Sequence, residues 1–410
     1  MNAAAARILD AVEAHRQEEI DFLAELVKVP SDNPPGDCEA HASRAAQLLE
    51  GLGLAVERHK VPAEDVLANG MISATNLIIR QRFGEGGRVI ALNAHGDVVP
   101  PGEGWSVDPY GAVVEDGVMY GRGVAVSKSD FATYAFALKG LIESGVALKG
   151  AVELHFTYDE EAGGAIGPAL ILERGLSRPD YVISAGFSYS VTVAHNGCLH
   201  LEVRVEGKSA HAARPDTGVD ALEATTKLLT ALYALREGYR EIRSRVEGIQ
   251  HPTLSVGLIS GGINTNVVPD VVTLRLDRRM IPEENPEEVE RTLVAEIERV
   301  CCAMPGISVK TRRILLARPF TPRPGQEILV AALERNARTV MGIDIPAEGV
   351  PLYTDARLYS AAGIPTALYG AGPRTLLEAN GHRADEKLVL DDLLKATKVV
   401  ALTLAELLEG

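Results

Sequence analysis

The stretch Arg88-Val89-Ile90-Ala91-Leu92-Asn93-Ala94-His95-Gly96-Asp97 opens as a short apolar run and closes on a histidine and an aspartate. Its length and composition predict a strand. Similar strand-like runs occupy 54–61, 76–82, 151–158 and 181–184, and helical spacing marks 13–27, 39–52, 131–144 and 166–174. Alternation of this kind predicts an α/β sheet covered by helices on both faces. Sheets of that class place their ligands just past the carboxyl ends of strands, where His95 and Asp97 stand.

The middle of the chain has a different pattern. Residues 199–205 alternate strictly, a long helical pattern covers 219–246, and strand signals follow at 253–258 and 271–276. A helix is expected over 286–304, with Asn285 as N-cap and Pro286 as first helical residue. A strand at 307–315 completes the order β-α-β-β-α-β, that of a ferredoxin-like split unit. The α/β pattern then resumes with a helix at 327–341, a strand at 365–369 and a helix at 390–408. The expected plan is a discontinuous α/β domain built from 1–195 and 315–410, with an α+β domain inserted at 196–314.

Composition narrows the function. The chain has 410 residues, enough for two domains at about 100–200 residues each. Its 41 basic and 56 acidic residues leave a net charge of −15, which argues against a nucleic-acid or anionic-membrane partner. With 46% apolar and 24% charged residues it is neither disordered nor fibrous. The four cysteines, Cys38, Cys198, Cys301 and Cys302, form no CxxC pair, and no apolar run approaches the ~20 residues of a membrane span. Residues 1–29 carry Asp10, Glu13, Glu18 and Glu19 and lack the pattern of a secretory signal. A soluble, cytoplasmic protein is expected.

Three clusters can carry chemistry. His95 with Asp97 suits a metal ligand oriented by a carboxylate, although alone the plainer reading is a surface histidine. Asp159-Glu160-Glu161 follows a strand; the three carboxylates repel one another unless a cation or solvent relieves them. They can be a solvated turn, or a glutamate ligand beside a glutamate base. Asn380-Gly381-His382 is ordinary loop chemistry by itself. Together the clusters suit a divalent metal at a hydrolytic site. No GxSxG, Walker loop or dinucleotide fingerprint competes, and Gly121-Arg122-Gly123 is too short to cradle a pyrophosphate.

An ordered set of motifs extends this reading. It includes Pro30-Ser31 with Asn33-Pro34-Pro35, His95-Gly96-Asp97-Val98-Val99-Pro100, Trp105 with Asp108-Pro109, Tyr120-Gly121-Arg122-Gly123, Asp159-Glu160-Glu161, Gly207-Lys208-Ser209-Ala210-His211, Thr354-Asp355-Ala356 and His382. The chain so resembles the M20 family of metallopeptidases and deacylases, which includes acetylornithine deacetylase, succinyl-diaminopimelate desuccinylase and glutamate carboxypeptidases. The resemblance implies His95, Glu161 and His382 as metal ligands, Asp97 as the residue orienting His95, and Glu160 as general base. It implies that the discontinuous domain is catalytic, that the inserted domain is a lid mediating a homodimer or higher oligomer, and that His211 polarises the scissile carbonyl, reaching in from a partner subunit. Asn266 and Arg279 resemble positions that hold a substrate carboxylate, with a structural salt bridge as the other reading of Arg279. Tyr189 and Tyr353 are placed as pocket residues because each sits beside a motif.

Two departures stand out. The family's metal-bridging aspartate is replaced by Val126, with Lys128 still in register, and its other usual carboxylate falls at Ser184-Ala185-Gly186, where no acid occurs. A two-His, one-carboxylate set holds one ion, not a pair about 3.5–4 Å apart. Asp97 or Asp130 could substitute as ligand, though Asp130 is better read as capping a helix from Phe131. The expectation is a Zn, Mn or Co hydrolase of a C–N bond in a small carboxylate-bearing substrate, with one ion per chain and a second left open. Hydrolysis of an unusual non-peptide C–N bond with a labile ion, or a ligand-binding homologue without catalysis, are the alternatives.

Overall fold

The computed structural model describes residues 2–409. The chain divides into two compact units. The first runs through Val193 and includes Pro322–Glu348 and the chain from Thr354 onward; the second comprises Ala194–Thr321 with Gly349–Tyr353. The second unit is thus wider than the 196–314 expected. Its last strand runs to Ala317, opposite Cys198, and His195 bridges Phe320 beyond it. Gly349 joins because its N–H donates to the Glu247 carbonyl at 2.7 Å.

An eight-stranded sheet runs in the order Val56–Lys60, Thr75–Gly84, Gly150–Thr157, Val89–His95, Tyr181–Ser184, Thr366–Leu368, Val191–His195 and Ala347–Val350. The Val89–His95 strand lies parallel to both of its neighbours. Every residue of Gly150–Thr157 is buried, as a central strand requires. The helices Lys128–Glu143 and Leu390–Leu408 bury Phe131, Phe136, Leu394, Val399 and Val400 in the first unit's core.

The second unit has the ferredoxin-like order expected from sequence. Its antiparallel sheet runs Thr253–Gly261, Val271–Met280, Gly197–Glu206, Ser308–Ala317, and its helices are Ala221–Tyr239 and Pro286–Cys302. Strict alternation sends Leu199, Leu201, Val203 and Val205 into the core with Leu228, Leu232, Leu293 and Ile297. Asn285 caps its helix through the Glu288 N–H at 3.0 Å, ahead of Pro286.

Three local expectations are corrected. The single helix at 13–27 is two, Ala3–Ala14 and Arg16–Val27, broken at His15, whose ring nitrogens meet Glu18 at 2.7 Å and Glu143 at 2.5 Å. The helix expected to reach residue 246 ends at Tyr239; beyond it, Glu283 takes the Arg245 N–H at 2.7 Å, so those backbone groups bond outside any helix. Asp130 caps nothing. It lies inside the Lys128–Glu143 helix and accepts the Ala371 N–H at 2.9 Å, with only 2% of its surface exposed. No helix among the described residues is long and apolar enough to cross a membrane.

Candidate active site

Parallel pairing places the first two clusters side by side. His95 stands opposite Thr157 at the carboxyl ends of adjacent strands, and the Gly96 N–H donates to the Thr157 carbonyl at 2.9 Å. The chain leaving Thr157 turns at once into a short 3-10 turn, Glu160–Ala162. Only glycine fits at 96, because a Cβ there would lie 2.4 Å from the Tyr158 ring. Asp97, fully buried, accepts from the N–H groups of Glu160 at 3.3 Å and Glu161 at 3.1 Å and from Asn33 Nδ2 at 3.0 Å. One carboxylate therefore holds the start of the acidic turn against the histidine strand.

The His95 ring is fixed from behind. Its Nδ1 lies 2.9 Å from the Asp97 carbonyl and 3.4 Å from Asp97 Oδ1, and its Nε2 lies 3.9 Å from Glu160 Oε2. Ligand atoms of His95, Glu160 and Glu161 all fall within 4.8 Å of one another. His382 Nε2 approaches Glu161 Oε1 to 3.5 Å, from a loop where His382 itself adopts φ 63°. These five residues, His95, Asp97, Glu160, Glu161 and His382, are brought together in the first unit.

Burial and mutual repulsion set the electrostatics. Burial pushes the Glu160 carboxyl up to about 8 against the pull of His95, with Glu161 and Asp97 adding to the rise. For His95, burial opposes the charged ring, but Glu160 and Asp97 outweigh it and hold its pKa well above the ordinary value. Asp355, 3% exposed, is raised to about 7 by burial and by Glu160, and neither of its carboxylate oxygens has a hydrogen-bond partner. Its nearest cationic group is Arg357 Nη1 at 3.7 Å. The pocket carries more negative charge than its own cations relieve.

The two altered positions contribute no ligand. The Val126 N–H donates to Glu386 Oε1 at 3.3 Å and the Ala185 N–H to the Asn93 carbonyl at 2.8 Å, and neither side chain can coordinate an ion. The residues that build the His382 loop are not apparent from spacing. Arg122 and Glu386, each 1% exposed, pair at 2.6 Å across 264 residues of sequence, and Arg122 also donates to the Arg383 carbonyl at 3.2 Å. Asp355 sits in the quoted Thr354-Asp355-Ala356 motif, which was the signal that could have marked it.

In the second unit, the two-residue strands Ala210–His211 and Val267–Val268 pair, and the Ala212 N–H donates to the Asn266 carbonyl at 2.9 Å. His211 and Asn266 are thereby neighbours, both exposed. Arg279 donates from Nε and Nη2 to Asp277 at 2.9 and 3.1 Å, and its guanidinium lies 5.7 Å from the Tyr353 ring centre. The salt-bridge reading of Arg279 is therefore realised. Tyr189, in the first unit, donates to Asp392 at 2.6 Å and lies under the Arg374 guanidinium at 3.6 Å. None of these bonds joins Tyr189 to the acidic turn.

A family model described as "Peptidase family M20/M25/M40" matches residues 91–406, over three quarters of the chain. The chain belongs to this peptidase family. As an M20 protein it is a hydrolase of amide-type C–N bonds. Similar M20 relatives include the acetylornithine deacetylase of Myxococcus xanthus, 27% identical over 89% of this chain and 91% of that one. Another is the succinyl-diaminopimelate desuccinylase of Phenylobacterium zucineum (strain HLK1), 28% identical over 94% and 97%. The M20 metallo-carboxypeptidase of Sulfolobus solfataricus shares the fold, with a TM-score of 0.78 at 19% identity over 95% of this chain and 98% of that one.

Proposed function

We propose that this M20 hydrolase cleaves the amide of a small carboxylate-bearing substrate, an N-acyl amino acid or short peptide. One divalent cation, zinc, manganese or cobalt, would be held by His95, Glu161 and His382. The observation that carries this reading is the meeting of buried His95 with the partly buried Glu160 and Glu161 within 4.8 Å, beside the Asp355 carboxylate, whose oxygens accept no hydrogen bond. Imidazole and carboxylate donors of that kind suit these ions. When bound, such an ion supplies Lewis acidity that brings the pKa of water towards neutrality.

The chain's own residues do the rest. Glu160 takes the proton of the attacking water on a carboxylate oxygen and returns it to the departing amine. Asp97 orients both the His95 ring and the Glu160–Glu161 backbone. His211, reaching in from a partner copy, donates to the scissile carbonyl oxygen, and Asn266 holds the substrate carboxylate, Arg279 being engaged by Asp277 with Tyr353 beside it. The absent carboxylates at Val126 and Ala185 favour a single, weakly held ion and leave room for a C–N bond other than a peptide.

Association into a homodimer through the second unit is supported by its edge strand Thr253–Gly261, where Leu258 is 60% and Ile259 54% exposed. The thiols Cys38, Cys198, Cys301 and Cys302 are all free, which suits a reducing, cytoplasmic setting. The deciding experiment is metal analysis after reconstitution, beside turnover of N-acyl amino acids and dipeptides. Loss of one ion per chain with Glu161→Ala and loss of turnover with Glu160→Ala support the reading; activity surviving Glu160→Ala overturns the role of Glu160.

A further inference from the structure

A second cluster of ligating side chains lies wholly within the second unit. Cys198 and His200 alternate with Leu199 on the Gly197–Glu206 strand, so both project from the face opposite the Leu199 and Leu201 core. The neighbouring antiparallel strand sets Asp277 directly across from His200 and Arg279 across from Cys198. His200 Nε2 lies 3.0 Å from Asp277 Oδ2, and Cys198 Sγ lies 3.9 Å from the same oxygen. The three candidate ligand atoms lie within 4.8 Å of one another.

We infer that Cys198, His200 and Asp277 form a second cation site, for zinc or cobalt, built on two paired strands. The donor set is one sulfur, one imidazole nitrogen and one carboxylate oxygen, a combination characteristic of borderline-soft ions. A tetrahedral ion with bonds of about 2.0 Å to nitrogen and oxygen and about 2.3 Å to sulfur sets its ligand atoms roughly 3.3–3.6 Å apart. The distances of 3.0 and 3.9 Å to the Asp277 oxygen straddle that range.

The site is reachable as well as shaped. Cys198 is fully buried, but the His200 and Asp277 side chains are 34% and 32% exposed, which leaves the cluster open to solvent on one side. Three protein ligands and an open position are the arrangement of an exchangeable zinc site, not of a closed structural one. Arg279, already on both Asp277 oxygens, neutralises the carboxylate and competes with the ion for it. On binding, the ion replaces the proton between His200 and Asp277 and the proton of the Cys198 thiol, and both go to solvent.

This inference does not depend on the catalytic reading, whose ligands are only nitrogen and oxygen. The test is cobalt(II) titration of the full chain carrying Cys302→Ser, which removes the exposed thiol. A thiolate-to-cobalt charge-transfer band in the near ultraviolet, with the amplitude of one thiolate-bound cobalt per chain, is expected. Cys198→Ser should abolish the band, His200→Gln should weaken the cobalt affinity read from the band at least tenfold, and Arg279→Met should tighten it. Circular dichroism identifies any variant that misfolds, and the partly exposed His200 provides the substitution least disturbing to the core. Absence of the band in the Cys302→Ser chain, its survival in Cys198→Ser, or cobalt affinity unchanged in His200→Gln overturns the site.

Discussion

Asp97 accepts the backbone N–H of Glu161 at 3.1 Å, a bond from one strand end to the turn that follows its neighbour. The same carboxylate takes the Glu160 N–H, while the backbone carbonyl of Asp97 holds His95 Nδ1. One residue thus sets the relative position of His95 and the acidic pair. Replacing Asp97 by Asn puts an amide NH2 where an acceptor is needed. Metal affinity should fall about 10–100-fold, the usual effect of losing a residue that orients a ligand, with secondary structure unchanged. Isothermal titration with zinc checks this, and an unaltered affinity would remove Asp97 from the positioning role.

Glu160 and Glu161 are adjacent but should separate cleanly on substitution. Glu160→Gln should lower kcat by about 10²–10⁴-fold, the range of general-base catalysis, while the ion stays bound. Glu161→Ala should lose the first unit's ion and turnover together. Paired metal analysis and kinetics read both outcomes.

A buried pair holds the His382 loop. Glu386 accepts from Arg122 and from the Ala125 and Val126 N–H groups, and the Arg122–Glu386 pair is 1% exposed on both sides. Glu386→Ala leaves a buried guanidinium without its carboxylate, which typically costs about 3–5 kcal/mol. Urea denaturation should show that loss, and the variant should bind metal more weakly because His382 is no longer held.

Glu19 gives the first unit a pH signature. Burial pushes its carboxyl up to about 7, and Thr397 Oγ1 donates to it. Because the folded pKa lies above the ordinary 4.5, the unfolded chain binds fewer protons between the two values. Stability is therefore fully present below pH 4.5 and is lost as pH rises towards about 7, by roughly 3 kcal/mol. Glu19→Gln should flatten that portion of the stability–pH curve, as measured by urea midpoints from pH 4 to 8.

The exposed edge of the second unit predicts its oligomeric behaviour. Ile259→Lys places a charge in the middle of the free strand and should convert a dimer to a monomer, read by sedimentation equilibrium. His95, Glu160, Glu161 and His382 are untouched by the change. A dimer that persists would move the interface elsewhere.

Much of this architecture is local in origin and could be read directly. Strand-length apolar runs predicted Val89–His95 and Tyr181–Ser184, and Asn285 with Pro286 predicted the start of the second unit's last helix. His95, Glu160 and Glu161 were legible because parallel strands deliver their following residues to the same end of a sheet. The break at His15 was not, since apolar periodicity continues through it and the carboxylates meeting its ring include Glu143, far along the chain. Asp130 was misplaced for a similar reason: its acceptor role depends on Ala371, 241 residues away.

By itself, then, the sequence determined the α/β and ferredoxin-like units, the family, and the residue types available for chemistry, because periodicity, caps and motifs are properties of neighbouring residues. Tertiary structure decided how those residues are used. It committed Arg279 to Asp277, tied Arg122 to Glu386, left the buried Asp355 oxygens without a hydrogen bond, and gathered Cys198, His200 and Asp277 across two strands. Each of these depends on which distant groups burial forces together and on the electrostatic cost of leaving a charge unpaired away from water. Neither is written in local spacing.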